Sequence, residues 1–399
     1  MINKSIFGKI ALVVVGALII PTFAVAQIKM GIILGFTGPI ESLTPDMGKS
    51  AELAFKEVSD SGQLLGGQKV SVVRGDSTCI DAAAASAAAE RLITSDRVAG
   101  IMGADCSGVT TAIANNVAVP NGVTMISPSA TSPALSTIAD NGYFFRTAPS
   151  DARQGQVLAE ITIERGFNNV AVTFINNDYG KGLSDSFINA YKGLGGKVSA
   201  VVPHEADKAD FSAEVATLDA SGADVLAVFG YVDQGGNHII QGSLDAGSFD
   251  KFILADGMYG ESLLKNMEGD LTGTFGTVPG TDSKGSETFK GMAQSAGITV
   301  GGPFTGESYD AAALLMLAMQ SAGSTDRAAI ASNVLAVANA PGVKIMPGEL
   351  RKGLIILAKG GAVDYVGASN VELVGGGEAS GSYQEFEVKG KSFRTVRYR

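Results

Sequence analysis

The side chains able to do chemistry are few in this 399-residue chain, and none are grouped as a reaction would require. The two histidines, His204 and His238, have no acid or Cys at metal-ligand spacing. Both read as ordinary surface or edge residues, and no metal site is expected. No Gly-x-Ser-x-Gly nucleophile turn occurs. The stretch from Gly62 to Lys69 superficially suggests a phosphate loop. It lacks the Gly-Lys-Ser/Thr ending and reads as the turn before a strand. Gly31, Gly35 and Gly38 miss the dinucleotide spacing. Catalysis has no foothold here, and neither an enzyme nor a cofactor is expected.

What remains is a set of polar loops just after strand-like runs, where α/β proteins place their ligands. Gly35-Phe36-Thr37-Gly38-Pro39, Asp105-Cys106-Ser107-Gly108 and Ser127-Pro128-Ser129-Ala130-Thr131 are three of them. A helix start presenting Ser107 suits an anion such as a carboxylate. The same Ser and Thr also serve as helix caps and turn formers. Further on come Asn177-Asp178-Tyr179-Gly180, Phe229-Gly230-Tyr231 and Ala255-Asp256-Gly257. Asp256 suits a ligand ammonium, through a charge-assisted hydrogen bond. Tyr179 and Tyr231 could cover that ligand with their rings. An Asp before a Gly is equally an ordinary turn residue.

The elements that must carry these loops follow a regular rhythm. Ile28–Phe36 is almost continuously apolar, as a strand covered on both faces should be. Met47, Ala51, Ala54, Phe55 and Val58 then recur at helical spacing. Val70–Val73, Ala99–Gly103 and Val123–Ser127 alternate with helical runs at Ala82–Ile93 and Val109–Val117. The pattern restarts with strands at Asn169–Ile175, Val198–Val202, Asp224–Phe229 and Phe252–Ala255. Such βαβ series predict α/β architecture with parallel sheets, here in two similar halves. The third part is less regular. A strand at Thr274–Val278 and helices at Tyr309–Ala322 and Arg327–Val337 precede a β-hairpin of Tyr383–Val388 and Phe393–Tyr398.

The ends and the composition bound the class. Lys4 and Lys9, the apolar run Ile10 to Ile20, and Ala24-Val25-Ala26 predict a signal peptide over residues 1–26, with the mature chain starting near Gln27. Its loss moves the net charge from −10 to −12, which argues against nucleic acid or anionic lipid as a partner. An exported chain with two cysteines, Cys79 and Cys106, is expected to join them in a disulfide.

Taken together, several marks resemble the leucine/isoleucine/valine-binding protein family, the amino-acid and amide receptors of branched-chain-type ABC importers. They are Thr37-Gly38-Pro39, the Cys79/Cys106 pair, Ser127 to Thr131, Arg146-Thr147 with Gln154-Gly155, Asp178 to Gly182, Asp210-Phe211 and Tyr309-Asp310-Ala311. The resemblance runs from Ile28 to the last hairpin. It implies a type I periplasmic binding protein fold, two Rossmann-like lobes closing about a three-segment hinge. One lobe would comprise residues 27–148 and about 279–368, the other 149–278 and about 369–399. Ser107, Ser129 and Thr131 match the residues gripping a ligand's carboxylate and amine. Tyr179, Tyr231 and Asp256 match those of the second lobe, with Asp256 standing where an acid holds the ammonium. Arg146 and Tyr309 match framework positions.

Two departures bear on the cargo. Leu43 sits where a relative places an aromatic residue, and Asp105 occupies a place that is apolar in the branched-chain binder. An unpaired buried carboxylate is costly. Asp105 therefore either meets a polar or cationic ligand group or a protein donor, or turns outward and caps the next helix. The resemblance implies a monomeric periplasmic receptor that binds a small amino acid and hands it to the membrane permease subunits of an importer. A receptor for an amide, urea or aromatic acid, and a periplasmic ligand-sensing module, are the alternatives.

Overall fold

The computed structural model describes residues 27–399 together with Met1, so the expected signal segment lies outside the described residues. Two seven-stranded sheets organise the chain. In the first, Ile28–Leu34 lies between Val70–Asp76 and Ile101–Gly103, followed by Met125–Ser127 and Phe144–Pro149. In the second, Asn169–Ile175 lies between Lys197–His204 and Val225–Phe229, followed by Phe252–Leu254 and Phe275–Pro279. These ten strands run parallel within their sheets. Each half thus has the strand order 2-1-3-4-5, in which the connections diverge on either side of the first strand and leave a crevice at its carboxyl end.

Burial explains why the rhythm was readable. Central strands such as Val225–Phe229 and Phe252–Leu254 are buried at every residue, so they appear as unbroken apolar runs, whereas the equally buried Phe144–Pro149 carries Arg146 and Thr147. The edge strand Lys197–His204 is mostly half-buried or exposed. His204, at its end, is nevertheless buried, with Nδ1 2.8 Å from Thr173 Oγ1. It is an edge residue but not a surface one, and burial holds its imidazole down to about 4. Helix Thr305–Ala322 is apolar nearly all round because it is enclosed on every side, buried from Leu314 through Met319 and beyond.

The chain passes between the sheets three times, at Pro149–Ser150, Gly280–Asp282 and Ser380–Ser382. The crossings are tied together: Gly280 N–H donates to Ser382 O at 3.0 Å, and Ser382 Oγ to Gly280 O at 2.8 Å. Tyr383 Oη donates to Ser150 O at 3.1 Å. The third crossing corrects the expected boundary near residue 369. Leu373–Val374 and Glu378–Ala379 are two-residue strands of the first sheet, added beside Phe144–Pro149 with Glu378 opposite Arg146. Strands that short carry no apolar periodicity, so only long-range pairing places them. The expected terminal hairpin is present as Tyr383–Lys389 and Ser392–Tyr398, an antiparallel edge on the second sheet.

Candidate functional site

The loops at the two crevices face each other and enclose a small cleft. From the first lobe it is lined by Ile40, Leu43, Met47, Asp105, Cys106, Ser107, Ser129 and Phe304, and from the second by Tyr179, Tyr231, Asp256 and Gly257. Seven of the eight residues singled out in the sequence therefore converge on one place. Thr131 stands just outside the lining.

Asp105 does not turn outward. The following helix, Ser107–Ile113, has Cys106 at its cap and receives no side-chain cap bond. The Asp105 carboxylate is buried and takes the Gly35 N–H at 2.5 Å and the Ser77 hydroxyl at 2.8 Å. Burial still outweighs these bonds and raises its pKa. Its donors come from the protein, so it makes no demand for a polar ligand group. Gly35 is suited to this contact, since a Cβ there would sit 3.1 Å from both the Asp105 oxygen and Cys79. The Cys79–Cys106 disulfide is formed, with Cα atoms 5.1 Å apart, and ties the loop carrying Ser77 to the strand end carrying Asp105.

Ser129 Oγ donates to Asp105 O at 3.1 Å, and Ser107 Oγ accepts from the Ser132 N–H at 3.1 Å. On the other side the Tyr179 and Tyr231 rings stack with centroids 5.3 Å apart. Tyr231 Oη takes a hydrogen bond from Asn177 Nδ2 at 3.2 Å, while Asn177 Oδ1 also caps the helix Asp178–Gly193 through Gly180 N–H. Tyr179 Oη accepts from the Gly257 N–H at 3.2 Å and lies 3.5 Å from Asp256 Oδ1. Asp256 is buried, and burial pushes its carboxyl up to about 6 against hydrogen bonds that favour ionisation. Glycine at 257 permits this approach: a Cβ would lie 2.5 Å from Gly230 O and 2.9 Å from Tyr179 Oη.

The cleft is therefore two-ended. Hydroxyls and an acid gather at Ser107, Ser129, Tyr179 and Asp256, while Ile40, Leu43, Met47 and Phe304 supply an apolar wall. Sequence reasoning missed Ile40, Met47 and Phe304, whose types alone suggest only core. It also missed Asp151, although Pro149-Ser150-Asp151 follows a strand just as the other polar loops do. Arg146 is framework: its guanidinium is committed to Ala130 O, Ser132 O, Ser136 Oγ and Glu378. Tyr309 is framework too, donating to Glu57 and accepting from Gly348 N–H at 3.2 Å. Among the described residues no cluster of three or more His, Cys, Asp or Glu could hold a metal ion.

Comparison with known proteins accords with this arrangement. A family model described as "Periplasmic binding protein" matches residues 27–351. The chain is a periplasmic binding protein. Within that family it is 31% identical over 331 residues to Leu/Ile/Val-binding protein homolog 1 of Brucella melitensis, covering 81% of this chain and 86% of the relative. Its fold superposes on the leucine binding protein LivK of Thermotoga maritima with a TM-score of 0.79, at 24% identity, over 93% of this chain and 98% of the other. It also matches a solute binding protein from R. palustris in complex with 4-hydroxybenzoate, with a TM-score of 0.74 and 20% identity, over 94% and 97% of the two chains. The family carries the two-lobed fold, but its members are not uniform in ligand.

Proposed function

We propose that this periplasmic binding protein is the receptor of an ABC importer and that its cargo is an α-amino acid with an apolar side chain. The single observation that carries the reading is the two-ended cleft. Ser107, whose hydroxyl oxygen only accepts within the protein, offers its hydrogen to the ligand's carboxylate, Ser129 flanks the same end with its hydroxyl held on Asp105 O, and Asp256 takes the ammonium. The side chain lies against Ile40, Leu43, Met47 and Phe304, with Tyr179 and Tyr231 covering the whole. Burying an aliphatic side chain there contributes roughly 25 cal/mol for each Å² of apolar surface removed from water. Asp105 is already bonded within the protein, which supports an aliphatic cargo.

Residues 1–26 direct export to the periplasm, where the mature chain acts as a monomer and carries out no reaction. Ligand bridges the lobes and stabilises the closed form, which the permease subunits recognise. The relative named for leucine, isoleucine and valine supports this reading. A thermal-shift and calorimetric panel tests it, since a ligand that binds only the native state raises apparent stability. Leucine, isoleucine, valine or phenylalanine should lead, ahead of lysine, arginine and glutamate. If no α-amino acid binds, the reading is wrong.

A second reading, a receptor for an aromatic carboxylate, is favoured by the stacked tyrosines and by the fold neighbour holding 4-hydroxybenzoate. Benzoate and 4-hydroxybenzoate belong in the same panel. Binding of either that survives Asp256→Ala would favour this alternative.

A further inference from the structure

A second cavity lies at the second crossing, behind Phe304, which lines both it and the cleft. It is bounded by Gly280 and Thr281 of the crossing, by the start of helix Thr305–Ala322, and by Tyr259 and Tyr398 of the second lobe. The chain enters that helix through Phe304 in a left-handed conformation, with φ at 57°, and no side chain caps the first turn. The N–H groups of Thr305 and Gly306 have no acceptor among the described residues, and that of Glu307 has only its own carboxyl. A helix of 18 residues sets the positive end of its dipole on these donors.

Glu307 opens on the same cavity, is 6% exposed, and finds no other hydrogen-bond partner for its carboxyl among the described residues. Burial first, and then the charge of Asp310 further along the helix, push that carboxyl up to about 8, against the pull of its own N–H. At neutral pH it therefore carries a proton and can donate. Ser286 and Lys290, from helix Lys284–Ser295, also line the cavity, and neither side chain is engaged among the described residues. Unsatisfied buried polar groups are rare, and each calls for a physical reason. Here the surplus is of donors: two N–H groups, a carboxyl proton, a hydroxyl and an ammonium. What they lack is a compact acceptor of negative charge. We propose that this cavity is an anion site, separate from the cargo cleft, which holds a small oxyanion on the start of helix Thr305–Ala322 with Glu307 donating to it. It does not depend on the amino-acid reading, since none of these donors lines the cleft.

Calorimetric titration of the mature protein with sodium sulfate, and separately with sodium acetate, at constant ionic strength tests the site. At pH 7 at least one of the two should bind saturably, one per chain, and the tighter tells whether a tetrahedral oxyanion or a carboxylate fits better. At pH 9 its Kd should rise about 10-fold, as the protonated share of Glu307 falls from about nine-tenths to about one-tenth. Of the groups facing Glu307, Asp310 is held at about 6 and Tyr259 and Tyr398 are raised by burial, so they keep their charge between pH 7 and 9, as a lysine ammonium does. Glu307→Gln keeps a donor at every pH and should bind the same anion equally well at both. Saturable binding of neither anion at pH 7 overturns the site. So does a pH dependence that persists in Glu307→Gln, because the titrating group would then lie elsewhere, as at Asp256. Should the variant fail to fold, wild-type crystals soaked in selenate, or in bromoacetate if acetate binds better, decide. An anomalous peak beside the Thr305 and Gly306 N–H groups upholds the site; a peak at Ser107 in the cleft, or an adventitious ion only on the outer surface, overturns it.

Discussion

At the scale of single residues, the recurring motif is a buried acid, and the outcome at each depends on which donors reach it. Asp310 accepts from Tyr365 Oη, Ala368 N–H, and both the N–H and hydroxyl of Ser369. Asp105 has Gly35 and Ser77. Glu307, in the first turn of helix Thr305–Ala322, is the contrary case. It is buried with no side-chain partner among the described residues, and burial pushes its carboxyl up to about 8. Its folded value lies above its unfolded one, so it stays protonated when folded while the unfolded chain ionises. Stability is thus lost as pH rises from about 4.5 towards 8, and the loss is complete above 8. Glu307→Gln should be more stable than wild type at pH 8, by an amount on the order of a few kcal/mol, and equal to it near pH 4. Urea unfolding at the two pH values checks this; a difference of the same size at both would show that the proton is not involved.

At the scale of elements, the lobes are held together away from the ligand by the loop carrying Asp233. Its side chain takes the Ser42 N–H at 2.9 Å and the Ser262 hydroxyl at 2.9 Å, and its own N–H donates to Pro39 O at 3.0 Å. Ser42 and Pro39 belong to the first lobe, Asp233 and Ser262 to the second, so this latch exists only in the closed arrangement. None of its side chains is needed by the ligand. Asp233→Ala should therefore weaken binding about 2- to 10-fold, since partly exposed hydrogen bonds contribute only about 0.5–1.5 kcal/mol each. The change should fall on the dissociation rate, with association little altered. Stopped-flow measurement separates the two, and an unchanged dissociation rate would exclude the latch from closure.

At the scale of the whole molecule, the two sheets are built alike but only the first lobe is stapled. The disulfide spans 27 residues and lies against the cleft. Loop-closure entropy gives it about 3–4 kcal/mol of stabilisation. The double variant Cys79→Ser/Cys106→Ser should lose about that much in denaturant unfolding, as an early transition of the first lobe that leaves the second in place. A single unshifted transition would show that the bond contributes nothing net.

The alternation of buried strands and helices was legible because each central strand is enclosed on both faces and writes itself as a local apolar run, as Val225–Phe229 does. The strand-end loops were legible for the same reason, since a parallel sheet places them at one edge. The family marks are likewise ordered along the chain. Tertiary structure alone decided three things. It placed Leu373–Ala379 on the first sheet, turned Asp105 inward onto Gly35, 70 residues away, and set Asp151 beside Asp256. Each depends on which distant donor or strand edge comes within about 3 Å, a quantity that no local periodicity encodes.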